Sequence, residues 1–113
     1  MHELSIAVNI VDIATREAEK NQARKIQSLD LEVGALSGVI TEALEFAMEI
    51  AVRDSMLEHA NISIHRIDGR ASCNECGKAF EIDHLSDICP QCDSLDIRLM
   101  QGQELRIRSL KIE

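Results

Sequence analysis

The sequence predicts an α+β fold: two helices packed on a small three-stranded sheet, with a cysteine-bearing module set into it. Three observations predict this. Two proline-free stretches repeat apolar residues at helical spacing, three runs alternate apolar with polar residues, and the four cysteines stand as two close pairs.

From about Glu3 to Lys20 there is no Gly or Pro, and Leu4, Val8, Val11 and Ala18 recur at helical spacing beside Ile6, Ile10 and Ile13. That pattern predicts a well-buried amphipathic helix. Between Ser28 and Val33 the period changes to two, with Leu29, Leu31 and Val33 on one face and Asp30 and Glu32 on the other, as in a strand. Gly34 and Gly38 bracket a loop. Thr41 is then placed to cap a second helix, with Glu42 and Glu45 in its first turn, where the helix dipole favours them, and Leu44, Ala47, Met48, Ala51 and Val52 as its apolar stripe. Alternation returns from Asn61 as Ile62 and Ile64 against Ser63 and His65, closed by Gly69. A third alternating run, Glu104 to Ile112, slips parity near Ser109, which predicts a bulge. The expected organisation is one α/β domain from residues 1–69 plus 103–113, interrupted by a second domain over 70–102.

The inserted segment holds Cys73-x-x-Cys76 and Cys89-x-x-Cys92 and no other cysteine occurs. Each pair brings two thiolates to one side of an ion, and two such pairs complete a tetrahedral shell of four sulfurs, the arrangement of a zinc-ribbon-like four-cysteine domain holding a structural Zn(II). Gly77 and Pro90 suit the tight backbone bends this requires. The start of the chain, Met1-His2-Glu3-Leu4, lacks the features of a secretory signal, so a disulfide framework is disfavoured, and a redox pair would leave two cysteines unexplained. Iron held as in rubredoxin calls for an aromatic surround, whereas the only aromatic residues are Phe46 and Phe80. A closed four-sulfur shell has no open position for water or substrate, so its work is folding. His84 lies between the two pairs and is expected beside the shell or in solvent; His59 and His65 are expected to be solvated, and Asp83, Asp87, Asp93 and Asp96 to solubilise the module.

With 113 residues and 45% hydrophobic content the chain supports one modest core plus a small insert. A net charge of −8, with no aromatic platform, disfavours nucleic acid. No apolar run approaches the ~20 residues that cross a bilayer, and the expectation is a soluble, cytoplasmic protein.

The amino terminus offers a second metal chemistry. His at position 2 is too large for the aminopeptidase that trims Met before small residues, so Met1 should keep a free α-amine. That amine, the amide nitrogen of His2 and the His2 imidazole can occupy adjacent corners of a square around Ni(II) or Cu(II), with Glu3 completing or supporting the shell through its amide or carboxylate. Taken alone, His2 and Glu3 also fit the plainer reading of solvated residues at a helix start.

Met1-His2-Glu3-Leu4-Ser5, Gly34-Ala35-Leu36-Ser37, the paired cysteines and Gly102-Gln103-Glu104-Leu105-Arg106-Ile107 occur in an order and spacing that together resemble the hydrogenase maturation nickel metallochaperone family, HypA and its paralogue HybF. The resemblance runs over essentially the whole chain. It implies that residues 1–69 plus 103–113 form a nickel-binding domain and 70–102 a zinc-binding one, with Ni(II) as transported cargo at His2, Glu3 and the nitrogens of Met1 and His2. Cys73, Cys76, Cys89 and Cys92 would hold Zn(II). It further implies delivery of nickel to the large-subunit precursor of [NiFe] hydrogenase, work with a maturation GTPase, service to urease accessory proteins in some organisms, and a monomer or homodimer. Where other members of the family it resembles place an extra oxygen ligand or a partner contact in the loop before the second helix, this chain has Ile40, with Glu42 the nearest carboxylate.

The competing class is a zinc-ribbon adaptor whose amino terminus has no nickel role. No Ser, Cys or Lys nucleophile stands beside a base and no phosphate-cradling glycine loop occurs, so an enzyme is not expected.

Overall fold

The computed structural model describes residues 2–113. Helix α1 spans Glu3–Lys20, strand β1 Ile26–Gly34, helix α2 Thr41–Ala51 and strand β2 Asn61–Ile67; β3 (Arg70–Cys73), β4 (Ala79–Glu81) and β5 (Ile97–Gln101) follow, and β6 is Leu105–Ile112. The fold is α+β. Its strands form two separate three-stranded sheets, ordered β2-β1-β6 and β4-β3-β5.

Alternation puts Leu29, Leu31 and Val33 of β1 into the core beneath the helices. β2 pairs parallel to β1, which requires a crossover, and α2 supplies it. β6 returns antiparallel on the other side of β1. Its register slips between Ser109, opposite Asp30, and Ile107, opposite Leu31, so Arg108 is the extra residue of a bulge, next to the position where the parity changes.

The face that α1 buries differs from the expectation. Ala7, Ile10, Ala14 and Ala18 are buried, whereas Leu4, Val8 and Ile13 are exposed. Three alanines at i, i+7 and i+11 let the helix backbone approach its neighbours closely, and that stripe of small residues, not the stripe of large ones, faces inward. The helix ends in a Schellman motif: Ala23 N–H reaches Ala18 O at 3.0 Å, Gln22 N–H reaches Glu19 O at 3.0 Å, and Gln22 takes a positive φ of 59°. α2 buries Leu44, Ala47 and Met48 as its pattern foretold. Its N-cap is Ile40, however, not Thr41. Thr41 lies one residue inside the helix, and its hydroxyl is buried without a partner.

The solvent face of the first sheet is organised by charge. His65 Nε2 lies 2.8 Å from Asp30 Oδ1, so His65 is half-buried and paired, not solvated; Ser109 Oγ donates to Asp30 Oδ2 at 3.1 Å. Beside them the buried carboxylate of Glu32 accepts from both Arg106 and Arg108. The hydrogen bond from Arg106, and then that from Arg108, holds Glu32 below its ordinary value of 4.5. A depressed carboxylate contributes stability at neutral pH that is lost as pH falls below the unfolded value through the folded one. Glu32→Gln should therefore lower the melting temperature at neutral pH, and the gap to the parent should narrow in acid. Thermal unfolding of both proteins across that range checks it; a gap independent of pH would refute the assignment.

The second sheet gathers Ala71, Phe80, Ile82, Cys73 and Cys89 into a small core of its own, with Leu36, Ile97 and Leu99 packed against it. Its three strands were not read from the sequence. A radius of gyration of 17.3 Å and extents of 54 × 25 × 17 Å exceed the ~13 Å radius of a compact chain of this length, as two cores placed end to end require. Three glycines lie where the sheets meet. A Cβ on Gly34 would stand 2.0 Å from the carbonyl oxygen of Gly102, and one on Gly102 would stand 2.8 Å from the Cα of Gly69. The crossing is pinned by Gly34 N–H to Glu104 O and Leu36 N–H to Gly102 O, both 2.7 Å.

Candidate metal centres

β3 delivers Cys73 at its end, and the turn to β4 presents Cys76; the loop before β5 presents Cys89 and Cys92. The two turns repeat one geometry. Gly77 N–H bonds Cys73 O at 3.0 Å and Asp93 N–H bonds Cys89 O at 2.9 Å; Cys73 N–H bonds Lys78 O at 2.8 Å and Cys89 N–H bonds Ser94 O at 3.0 Å. The residue after each pair is left-handed, Gly77 at φ 79° and Asp93 at φ 60°. Asp93 thus has a backbone role that its charge concealed, since Asp tolerates this region better than most residues. Asp96 and Asp87 are also locally committed: Asp96 Oδ1 accepts from Asn74 Nδ2 at 2.9 Å, and Asp87 Oδ2 accepts from the N–H of Asp83 and of His84.

All four sulfurs lie within 4.8 Å of one another. Cys73 and Cys92 approach to 3.6 Å, as do Cys76 and Cys89, so each short contact joins one turn to the other. A tetrahedron with sulfurs ~2.3 Å from its centre has edges of ~3.8 Å; the two short contacts come close to it, and every other separation stays within 4.8 Å. Backbone N–H groups of Cys76 and Gln91 point at Cys73 and Cys89 sulfur, each at 3.4 Å. The Cys73 thiol is brought down to about 7, chiefly by the Cys76 amide. Cys92 is pushed up to about 12, because the Ser94 amide that favours its thiolate is outweighed by Cys73, partial desolvation and the other cysteines. Four thiolates here need a compensating cation, and the donor set fits zinc.

Among the described residues this quartet is the one group of three or more His, Cys, Asp or Glu side chains whose donor atoms converge. His84 is exposed and outside it. The amino-terminal residues are elsewhere. His2 is exposed at the start of α1, and with Glu3 and Leu4 it lines a groove of about 420 Å³ against Ala43, Phe46, Ala47 and Ile50 of α2. The Ile40 N–H donates to Glu3 Oε2 at 3.4 Å, so a carboxylate from α1 reaches the backbone at the start of α2. Met1, expected to contribute its α-amine, lies outside the described residues. Glu42 is exposed and joins no converging group.

The fold and the sulfur quartet define a metal-binding α+β protein with a thiolate centre built from two matched turns. The family model "Hydrogenase/urease nickel incorporation, metallochaperone, hypA" matches residues 1–112, and the chain belongs to that family. It is 40% identical to the hydrogenase maturation factor HypA of Geobacter metallireducens over the full length of both, and 41% identical to that of Parabacteroides distasonis over all of this chain and 98% of the relative. The solution structure of the Ni metallochaperone HypA from Helicobacter pylori superimposes with a TM-score of 0.70 at 27% identity, covering 99% of this chain and 97% of that one. The family is one of metallochaperones, not enzymes. No helix among the described residues is long and apolar enough to cross a membrane.

Proposed function

We propose that this chain carries Ni(II) at its amino terminus, through the Met1 α-amine, the His2 amide and imidazole, and Glu3. It passes the ion by ligand exchange to the large-subunit precursor of [NiFe] hydrogenase, acting with a maturation GTPase and, where urease is made, with urease accessory proteins in the cytoplasm. Residues 1–69 plus 103–113 are the nickel-handling domain, and 70–102 the domain that Zn(II) on Cys73, Cys76, Cys89 and Cys92 holds folded. The family match over residues 1–112 carries the reading. The chemistry of the site supports it: His2 is exposed on the rim of a groove whose far wall includes the exposed apolar side chains of Phe46 and Ile50. An accessible chelate bordered by apolar surface suits a cargo that must leave on contact with another protein.

His2→Ala, or one extra residue ahead of Met1, should abolish stoichiometric Ni(II) binding in calorimetric titration while leaving circular dichroism unchanged. Nickel-edge X-ray absorption of the untagged protein should show nitrogen and oxygen scatterers. Unchanged affinity in both variants, or sulfur as the nickel neighbour, would overturn the proposal.

A further inference from the structure

A second groove, of about 440 Å³, runs along the other flank of α2, between that helix and β2. Its floor is apolar, made by Met48 and Val52 of the helix side and Ile62 and Ile64 of the strand. β2 is an edge of its sheet, and no backbone group of Ile62–Arg66 bonds to any strand but β1 among the described residues.

The two edges of this sheet are treated differently. β6 carries Arg106, Arg108 and Lys111, and its register is broken twice, both of which discourage a further strand. β2 runs in unbroken register from Asn61 to Ile67, has no Pro, and exposes one full charge, Arg66. An unguarded edge beside an apolar groove is the arrangement in which an added strand gains main-chain hydrogen bonds and buries alternate side chains.

Charge selects the occupant. Glu45 and Glu49 of α2 and Glu58 from the following turn wall the groove, and none of the ion pairs among the described residues involves them. Glu45 and Glu49 are four apart on one helix, a mutually repulsive spacing. A second copy paired β2 to β2 would bring two such walls together. We propose that β2 and this groove receive an extended segment of a partner protein, added as a fourth strand, in which the residues facing the groove, every second one, alternate apolar with Lys or Arg. On that face the apolar side chains enter the groove and the cations meet the three carboxylates, while the intervening residues face the opposite side of the sheet.

The probe is a blocked eight-residue peptide repeating Val-Ser-Lys-Ser, so that Val and Lys share one face, N-methylated at every second residue so that one edge alone can pair, added to the full chain. It should slow amide exchange in β2. The same peptide methylated at every residue, which keeps its charge but has no main-chain donor, should fail, as should a version with Glu in place of Lys. The triple variant Glu45→Gln, Glu49→Gln, Glu58→Gln, at exposed positions, should keep the fold and weaken binding roughly tenfold. Equal binding of the fully methylated peptide would reduce the effect to surface charge and overturn the proposal. Absence of protection at millimolar singly methylated peptide would also overturn it, as would β2 protection that tracks dimer formation in sedimentation without peptide.

Discussion

Stripping the zinc proposed for the cysteine quartet will unfold the second sheet and leave the first standing. The core of β3, β4 and β5 is five buried side chains, two of them cysteines. A segment this short falls below the ~40 residues at which small folds usually depend on a metal or disulfides. Zinc held by four thiolates contributes ~10–16 kcal/mol at neutral pH, far more than such a core provides. After chelation, amide exchange protection should vanish across Arg70–Cys73, Ala79–Glu81 and Ile97–Gln101 and persist in α1, α2 and β1. Cys89→Ser, at a fully buried sulfur, should give the same pattern without chelator. Protection retained in β3 to β5 by metal-free protein would show that packing, not the ion, holds them.

Gly34→Ala should cost about 3 kcal/mol, a large loss for adding one methyl group. Gly34 has no positive φ, so the backbone conformation itself would accept alanine. The obstacle is where the new Cβ would stand, 2.0 Å from Gly102 O, 2.2 Å from Gly102 C and 2.7 Å from Gln103 N, all main-chain atoms that cannot rotate away. Relief means parting the strands and losing the 2.7 Å bonds that pin the crossing. Gly77→Ala is the matched control: nothing lies within 4 Å of its Cβ, and its penalty is the left-handed backbone alone, about 1 kcal/mol. Urea unfolding of both variants separates the two causes. Equal losses would mean that close packing at the crossing has been misjudged.

Period-two alternation gave β1, β2 and β6, because one face of each is half-covered and the other polar. The parity slip in β6 likewise marked a real bulge. β3 and β4 escaped notice because Arg70–Cys73 and Ala79–Glu81 are too short to show a period, and β5 because Ile97, Leu99 and Gln101 share one face with mixed polarity. On α1 the large residues misled, since three alanines form much of the packed face. The sulfur quartet was legible from its spacing, but the left-handed Asp93 was not, because an aspartate in a turn gives no sign distinguishing backbone duty from solubility. Glu3 was singled out from the first residues, while its reach to Ile40 depends on how α1 and α2 are juxtaposed, which local pattern does not encode.

β1 is the middle strand of its sheet, flanked by β2 and by β6, and the whole second sheet is threaded between those two neighbours in the chain. During synthesis the cysteine turns leave the ribosome before β6 does, as one contiguous piece able to capture its ion unaided. The sheet that positions the amino terminus stays open on one side until the final strand is translated. On the proposed assignment, then, chain connectivity alone would place completion of the nickel-handling sheet after the cysteine turns are free to take up zinc.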